Sequence, residues 1–225
     1  MTGDPASALV VWFDEAERSQ PSLVGGKCAA LAQLTAAGLP VPPGFAITVE
    51  AYRIACGPLQ EQITAVLESV EGTDSGGSND DGAMLRALVE QVELPPILRN
   101  AVAEAYAELG RRCGIPDVPV AVRSSATGED APGASFAGEH DTYLWVRGEA
   151  EVLAAVRRCW GSLFTDRAIA YRRRLSEPAA ALVMSVGVQR MVQAESAGVA
   201  FTLNPQNGDR SEIAVDASWG FGEAV

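Results

Sequence analysis

The sequence predicts an α+β fold, on three observations. Apolar residues recur at helical spacing through most of residues 1–117. From Val118 onward, short apolar runs of strand character take over. The 225 residues, 48% hydrophobic and 20% charged, are enough to bury a core without disulfide or metal staples. The expected layout is a helical part over 1–117 and a strand-rich part over 118–225.

The elements follow in order. Residues 9–13, LVVWF, have the length and composition of a short buried strand. Val24, Cys28, Leu31 and Leu34 recur at helical spacing, and Gly38 followed by Pro40 supplies a helix stop. Val41-Pro42-Pro43-Gly44-Phe45 reads as a rigid turn into a short strand, AIT. Leu59, Ile63, Val66 and Val70 mark a second helix, and residues 71–82, EGTDSGGSNDDG, an acidic surface loop. Leu85, Leu88 and Val92 mark a third helix. Pro95 and Pro96 open a fourth, with Leu98, Val102, Ala105 and Leu109 on its apolar face. VPVAVRSS, from Val118, is a strand that runs into a Gly/Ala-rich loop over 125–140. DTYLWV (141–146) is a strand, and Val152, Val156, Cys159 and Leu163 mark a helix. Thr165 is placed to cap another helix ending at Arg172-Arg173-Arg174. ALVMSVGVQRMV, SAGVAFTL and EIAVDAS complete the sheet, with Asn207-Gly208 as a hairpin signal in the last connection.

Composition excludes several function classes. A net charge of −12 argues against a broad nucleic-acid or anionic-membrane surface, because both need clustered cations. A small cationic pocket remains compatible with that charge. There is one histidine, His140, so a multi-histidine metal site is excluded within the chain. Cys28, Cys56, Cys113 and Cys159 are far apart and form no zinc spacing. No apolar run spans a bilayer, and the first residues carry no signal-peptide pattern. A cytoplasmic location with reduced thiols is the expectation. No G-x-S-x-G motif supports a serine hydrolase.

The candidate chemistry lies in two motifs. Gly25-Gly26-Lys27 stands at the start of the first helix. Glycine lets a phosphate approach the backbone, the helix terminus favours an anion, and lysine adds a mobile charge. A solvated lysine on an exposed helix end is the alternative. Lys27 is the only lysine, against 16 arginines. Arg123-Ser124-Ser125 ends a strand and begins the loop that contains Gly128, Gly133 and Gly138. There the arginine can fork onto phosphate oxygens, or pair with Glu129 or Asp130. Glu139-His140-Asp141 cannot converge easily on one metal or substrate, because adjacent strand residues face opposite sides. Gln189, polar in an apolar strand, needs a hydrogen-bond partner. A base edge or a neighbouring backbone group would serve. Trp219-Gly220-Phe221-Gly222-Glu223 suggests a bend against a ligand or partner, or simply a strand-to-loop junction.

Five segments, in order, carry a resemblance: LVGGKCAALAQL (23–34), AGLPVPPGFAIT (37–48), VAVRSSATGEDAPGASFAGEHDTYLWV (120–146), VGVQRMV (186–192) and GVAFTLNPQNGDRSEIAVDASWGFGEAV (198–225). Together they resemble the N-terminal ATP-binding domain of the phosphoenolpyruvate synthase, pyruvate phosphate dikinase and rifampin phosphotransferase family, an ATP-grasp fold. The resemblance implies that Lys27 and Arg123 contact ATP phosphates. It also implies that Gly138 gives a backbone contact, and that Thr142 and Gln189 match further nucleotide-contacting positions. Both 1–117 and 118–225 would then be parts of one ATP-binding domain, which in the family continues beyond the WGFGEAV segment. Mg²⁺ is implied, with its protein ligands expected past Val225. So is a phosphohistidine domain, in the same longer chain or on a partner subunit, that takes a phosphoryl group from ATP and passes it to an acceptor. His140 does not match that catalytic histidine, and no catalytic residue is expected here. Two alternatives are a non-catalytic nucleotide-binding or interaction module and a fragment of a rifampin phosphotransferase-like enzyme. Glu139 stands where relatives usually carry Gln, and Trp145 where they usually carry Asn.

Overall fold

In the computed structural model, residues 8–71, 79–126, 141–165, 168–169 and 183–222 are described. They form a mixed helix-and-sheet structure, as the α+β pattern predicts. The chain groups into two compact units, Met1–Met191 and Val192–Val225.

The first unit is built on a five-stranded antiparallel sheet. Its strands are β1 (Val10–Trp12), β2 (Gly44–Ile47), β3 (Val120–Ala126), β4 (Thr142–Val146) and β5 (Met184–Arg190), in the order β1-β2-β5-β3-β4. The sheet therefore draws strands from both sides of residue 118, which local patterning does not reveal. β5 lies at its centre, pairing Phe45 with Val188 on one side and Val122 with Val188 on the other. Such central strands are buried on both faces and read as continuous apolar runs.

One face carries the helix α1 (Pro21–Ala36). Pro21 at its first position suits a helix start, and Gly38 beyond its end, at φ 77°, supplies the expected stop. The small residues Cys28, Ala29 and Ala32 are buried and bring α1 close to the sheet. Gly187 of β5 leaves room for this, since a Cβ there would lie 2.9 Å from Cys28 Sγ. The helical-spacing pattern also named Leu31 and Leu34 as core. Instead Leu31 is only partly buried and Leu34 is exposed, because the small residues make the contact.

The opposite face carries the larger core. It is packed by α2 (Val49–Cys56), α5 (Pro96–Cys113) and α6 (Glu149–Gly161), with α3 (Gln60–Glu71) against α4 (Asn79–Glu90) and α4 against α6. α5 starts at the predicted prolines and buries Leu98, Val102, Ala105 and Leu109 as expected. α2 was not apparent in the sequence. It is only eight residues long, and it buries Val49, Ala51, Tyr52, Ala55 and Cys56 with little apolar bulk. α4 reaches back into the predicted 71–82 loop, starting at Asn79. Tyr106 ties this layer together: its hydroxyl donates to Val118 O (2.9 Å) and accepts from Gly148 N (2.9 Å). Thr165 Oγ1 accepts from Ala168 N (3.2 Å), as its capping role predicts. The helix proposed to end at Arg172–Arg174 lies outside the described residues.

β3 and β4 shift register between Val120 and Val122. Trp145 lies beside that irregularity with φ +59°, in the left-handed region. Asparagine, the residue the resemblance expects there, tolerates this conformation better than most.

The second unit holds β6 (Ser196–Phe201) and β7 (Ala214–Trp219), paired antiparallel with Gly198 opposite Ala217. Asn207-Gly208 lies in their connection as predicted, within a loop longer than a two-residue turn. Asn204 Oδ1 accepts from Gln206 N and Asn207 Oδ1 from Asp209 N, which turns the chain. Among the described residues, no helix is long and apolar enough to cross a membrane.

Candidate functional site

α1 is interrupted near its start. Gly25 has φ 73° and ψ 166°, so the helix breaks there and begins afresh at Gly26-Lys27. The cause is a close approach to β3. A Cβ on Gly25 would lie 2.5 Å from the Ser125 carbonyl carbon, with Ser125 oxygens closer still. Only glycine fits both the space and the backbone angle. Ser125 stitches the break from the strand side: its Oγ donates to Val24 O (2.9 Å) and accepts from Cys28 N (3.2 Å). The glycine singled out as a phosphate-approach position thus has a packing role first. Its consequence is a helix N-terminus, with its positive dipole end, held against the end of β3.

β3 reads buried, buried, buried, exposed, buried, buried, buried, and the exposed residue is Arg123. Strand register places Arg123 beside Thr142 of β4 and Gly187 of β5. Gln189 lies two residues along β5 from Gly187 and therefore on the same face.

These residues meet in a cavity of about 390 Å³. Lys27, Arg123, Thr142 and Gln189 all line it, together with Phe13, Cys28 and Leu31. Four of the five residues singled out from the sequence therefore converge, from four different elements. The fifth, Gly138, lies outside the described residues. Among the described residues, two cations and no carboxylate line the cavity, which suits an anion at one end. Phe13 and Leu31 give it an apolar wall, which suits a flat ring system.

Gln189 is partly satisfied by a backbone group, one of the two kinds of partner its place in an apolar strand admits. Its Nε2 donates to Pro42 O (3.1 Å). A carbonyl can only accept, so the amide orientation is set, and Oε1 remains as an acceptor.

Of the Glu139-His140-Asp141 run, Glu139 and His140 lie outside the described residues, and Asp141 is engaged in hydrogen bonds. Asp141 Oδ2 accepts from Arg86 Nη2 and from the Tyr143 hydroxyl, both at 2.8 Å. Burial, and then this bond to the carboxylate, push the Tyr143 hydroxyl pKa up. Burial likewise pushes the Cys159 thiol up. Among the described residues, no three His, Cys, Asp or Glu side chains are grouped to hold a metal ion. The sequence reasoning missed Phe13 and Cys28 as lining residues. Their apolar character alone marks them only as parts of a strand and a helix.

Comparison with known proteins gives a consistent result. Residues 21–225 match the family described as pyruvate phosphate dikinase, AMP/ATP-binding domain. A probable phosphoenolpyruvate synthase of Staphylothermus marinus is 44% identical over 221 residues, covering 96% of this chain and 26% of the relative. The phosphoenolpyruvate synthase of Pyrococcus furiosus is 38% identical over 254 residues, covering 98% of this chain and 31% of the relative. That of Helicobacter pylori is 38% identical over 224 residues, covering 96% and 28%. The chain spans between 18% and 33% of the length of the curated relatives it matches.

Proposed function

Because the chain belongs to the pyruvate phosphate dikinase AMP/ATP-binding domain family, we propose that the cavity on the α1 face of the sheet is its ATP site. Lys27 and Arg123 hold the phosphates. The first is a mobile point charge at a helix N-terminus and the second a planar fork on a strand. Thr142 and Gln189 add polar contacts, and Gly138 adds a backbone contact from the glycine-rich loop. The carrying observation is that Lys27, Arg123, Thr142 and Gln189 line one cavity.

The fold is ATP-grasp in this proposal, with 1–117 and 118–225 as helical and strand-rich parts of the one domain. Lys27 comes from the first part and the other four residues from the second. In the longer protein, ATP is split to AMP and phosphate. One phosphoryl group passes to a histidine on another domain or subunit and then to an acceptor, in the manner of the phosphoenolpyruvate synthases. Lys27 and Arg123 offset the charge that develops on the transferred group. The described residues offer no carboxylate set for Mg²⁺. Mg²⁺ would accompany the triphosphate, with its protein ligands outside the described residues. A cytoplasmic setting, which supplies ATP and reduced thiols, suits the four free cysteines.

Calorimetric titration with ATP tests the proposal. Removing one charged contact costs about 1.5–3 kcal/mol, or roughly a 10- to 100-fold loss of affinity. Lys27→Ala and Arg123→Ala are each expected to show that loss with an unchanged melting temperature. Wild-type affinity in both variants would remove the site assignment.

A further inference from the structure

The nucleotide site uses one face of the sheet, and a charged cluster lies behind it. Asp141 immediately precedes Thr142. Its Oδ2 takes hydrogen bonds from Arg86 Nη2 and from the Tyr143 hydroxyl, both at 2.8 Å. Arg86, on α4, also donates from Nε to Glu90 Oε1 at 2.7 Å. The Tyr143 ring packs against the large core and lies beneath the Arg158 guanidinium, 4.3 Å from ring centroid to carbon. The Asp141 carbonyl accepts from Ser124 N (3.5 Å), the residue after Arg123. Gly161 of α6 leaves room for the two α4 side chains. A Cβ there would lie 2.9 Å from Glu90 Cγ and 3.2 Å from Arg86 Cγ.

We propose that Arg86 and Asp141 are positioning residues for the nucleotide site: a clamp that fixes the start of β4, and with it Thr142 and the neighbouring Arg123. The inference rests on the cavity being the ATP site.

Three features separate this clamp from an ordinary surface ion pair, which contributes little. First, the arginine fork is divided between two carboxylates, one on its own helix and one at a strand start 55 residues away. Second, one carboxylate oxygen receives two donors, the second from a tyrosine anchored in the core. Third, the strand register carries the constraint through the sheet. Tyr143 sits opposite Val122 and Thr142 opposite Arg123, so fixing Asp141 and Tyr143 fixes the pair that projects into the cavity. A helix on one side thereby sets the geometry of phosphate-contacting groups on the other. Such groups lose affinity steeply when misplaced by an ångström.

The test titrates ATP and adenosine into the full chain, with melting temperature recorded for each variant. Asp141→Asn and Arg86→Met are expected to weaken ATP about 10-fold and leave adenosine within two-fold, since only the phosphate contacts are displaced. Arg86→Lys keeps the charge but cannot fork, and falls between wild type and Arg86→Met. Gly161→Ala keeps every charge and favours the helix, yet pushes Arg86 and Glu90 aside. It is expected to weaken ATP selectively without lowering the melting temperature. Unchanged ATP affinity in Asp141→Asn and Arg86→Met overturns the clamp alone. So does a parallel loss of ATP and adenosine that tracks stability. Failure of the wild type to bind ATP overturns the site assignment, and the clamp with it.

Discussion

Replacing Gly25 by alanine tests how the site is built. Two costs arise. An L-residue at φ 73° sits in the left-handed region, at about 1–2 kcal/mol. The new Cβ would also lie 2.5 Å from the Ser125 carbonyl carbon, and that neighbour is strand backbone rather than a flexible side chain. Overpacking of this kind costs about 1–3 kcal/mol. The sum is about 2–5 kcal/mol, a large part of an ordinary domain's 5–15 kcal/mol. Gly38→Ala separates the two terms. Gly38 has φ 77° but no atom within 4 Å of a new Cβ, so it carries the backbone cost alone. Urea unfolding of both variants reads the difference directly. Gly25→Ala is expected to lose more stability than Gly38→Ala by about 1–3 kcal/mol. It should also weaken ATP binding, because relief of the clash moves Lys27 away from Arg123. Equal losses in the two variants, with ATP affinity intact in Gly25→Ala, would refute the close approach of α1 to β3 as the device that sets the site.

Two other outcomes follow from buried and half-buried groups. Burial pushes the Cys56 thiol from its ordinary 9.0 up to about 12. The unfolded chain therefore releases this proton at a lower pH than the folded one, and stability falls as pH rises from about 9 towards 12. The slope approaches about 1.4 kcal/mol per pH unit for this thiol. Urea unfolding between pH 8 and 10.5 should show the fall, and Cys56→Ala should make it shallower; an identical slope in the variant would contradict the burial argument. In the proposed site, Gln189 Oε1 is left to accept from the amino group of adenine and would repel the carbonyl of guanine. ATP should bind about 10-fold more tightly than GTP, and Gln189→Leu should erase most of that preference; equal affinity for the two nucleotides in the wild type would remove Gln189 from base recognition.

Much of the fold was legible because its elements carry strong local patterns. α5 has prolines at its start and an apolar face at helical spacing, and β5 is a continuous apolar run. α2 was hidden because it is short and contributes Ala51 and Ala55 where larger apolar residues would have marked a face. The strand order was hidden for another reason. Pairing β2 with β5 joins residues more than 130 apart, and nothing local encodes that choice. At the site, Lys27, Arg123 and Gln189 stood out from residue chemistry, each beside a structural alternative, and Thr142 came from the resemblance alone. The break at Gly25 was not legible, because a glycine before a helix has several uses and only the position of Ser125 decides among them. The Arg86–Asp141 clamp was equally invisible. Its two ends belong to separate elements 55 residues apart, and no local pattern links them.

Backbone amide shifts during ATP titration of the wild-type chain test the central claim most directly. The largest changes are expected at Gly26–Cys28, at Arg123 and Ser124, at Thr142, and at Gly187–Gln189, the segments that line or border the cavity. Saturating changes confined to the β6–β7 hairpin, or none anywhere at millimolar ATP, would contradict it.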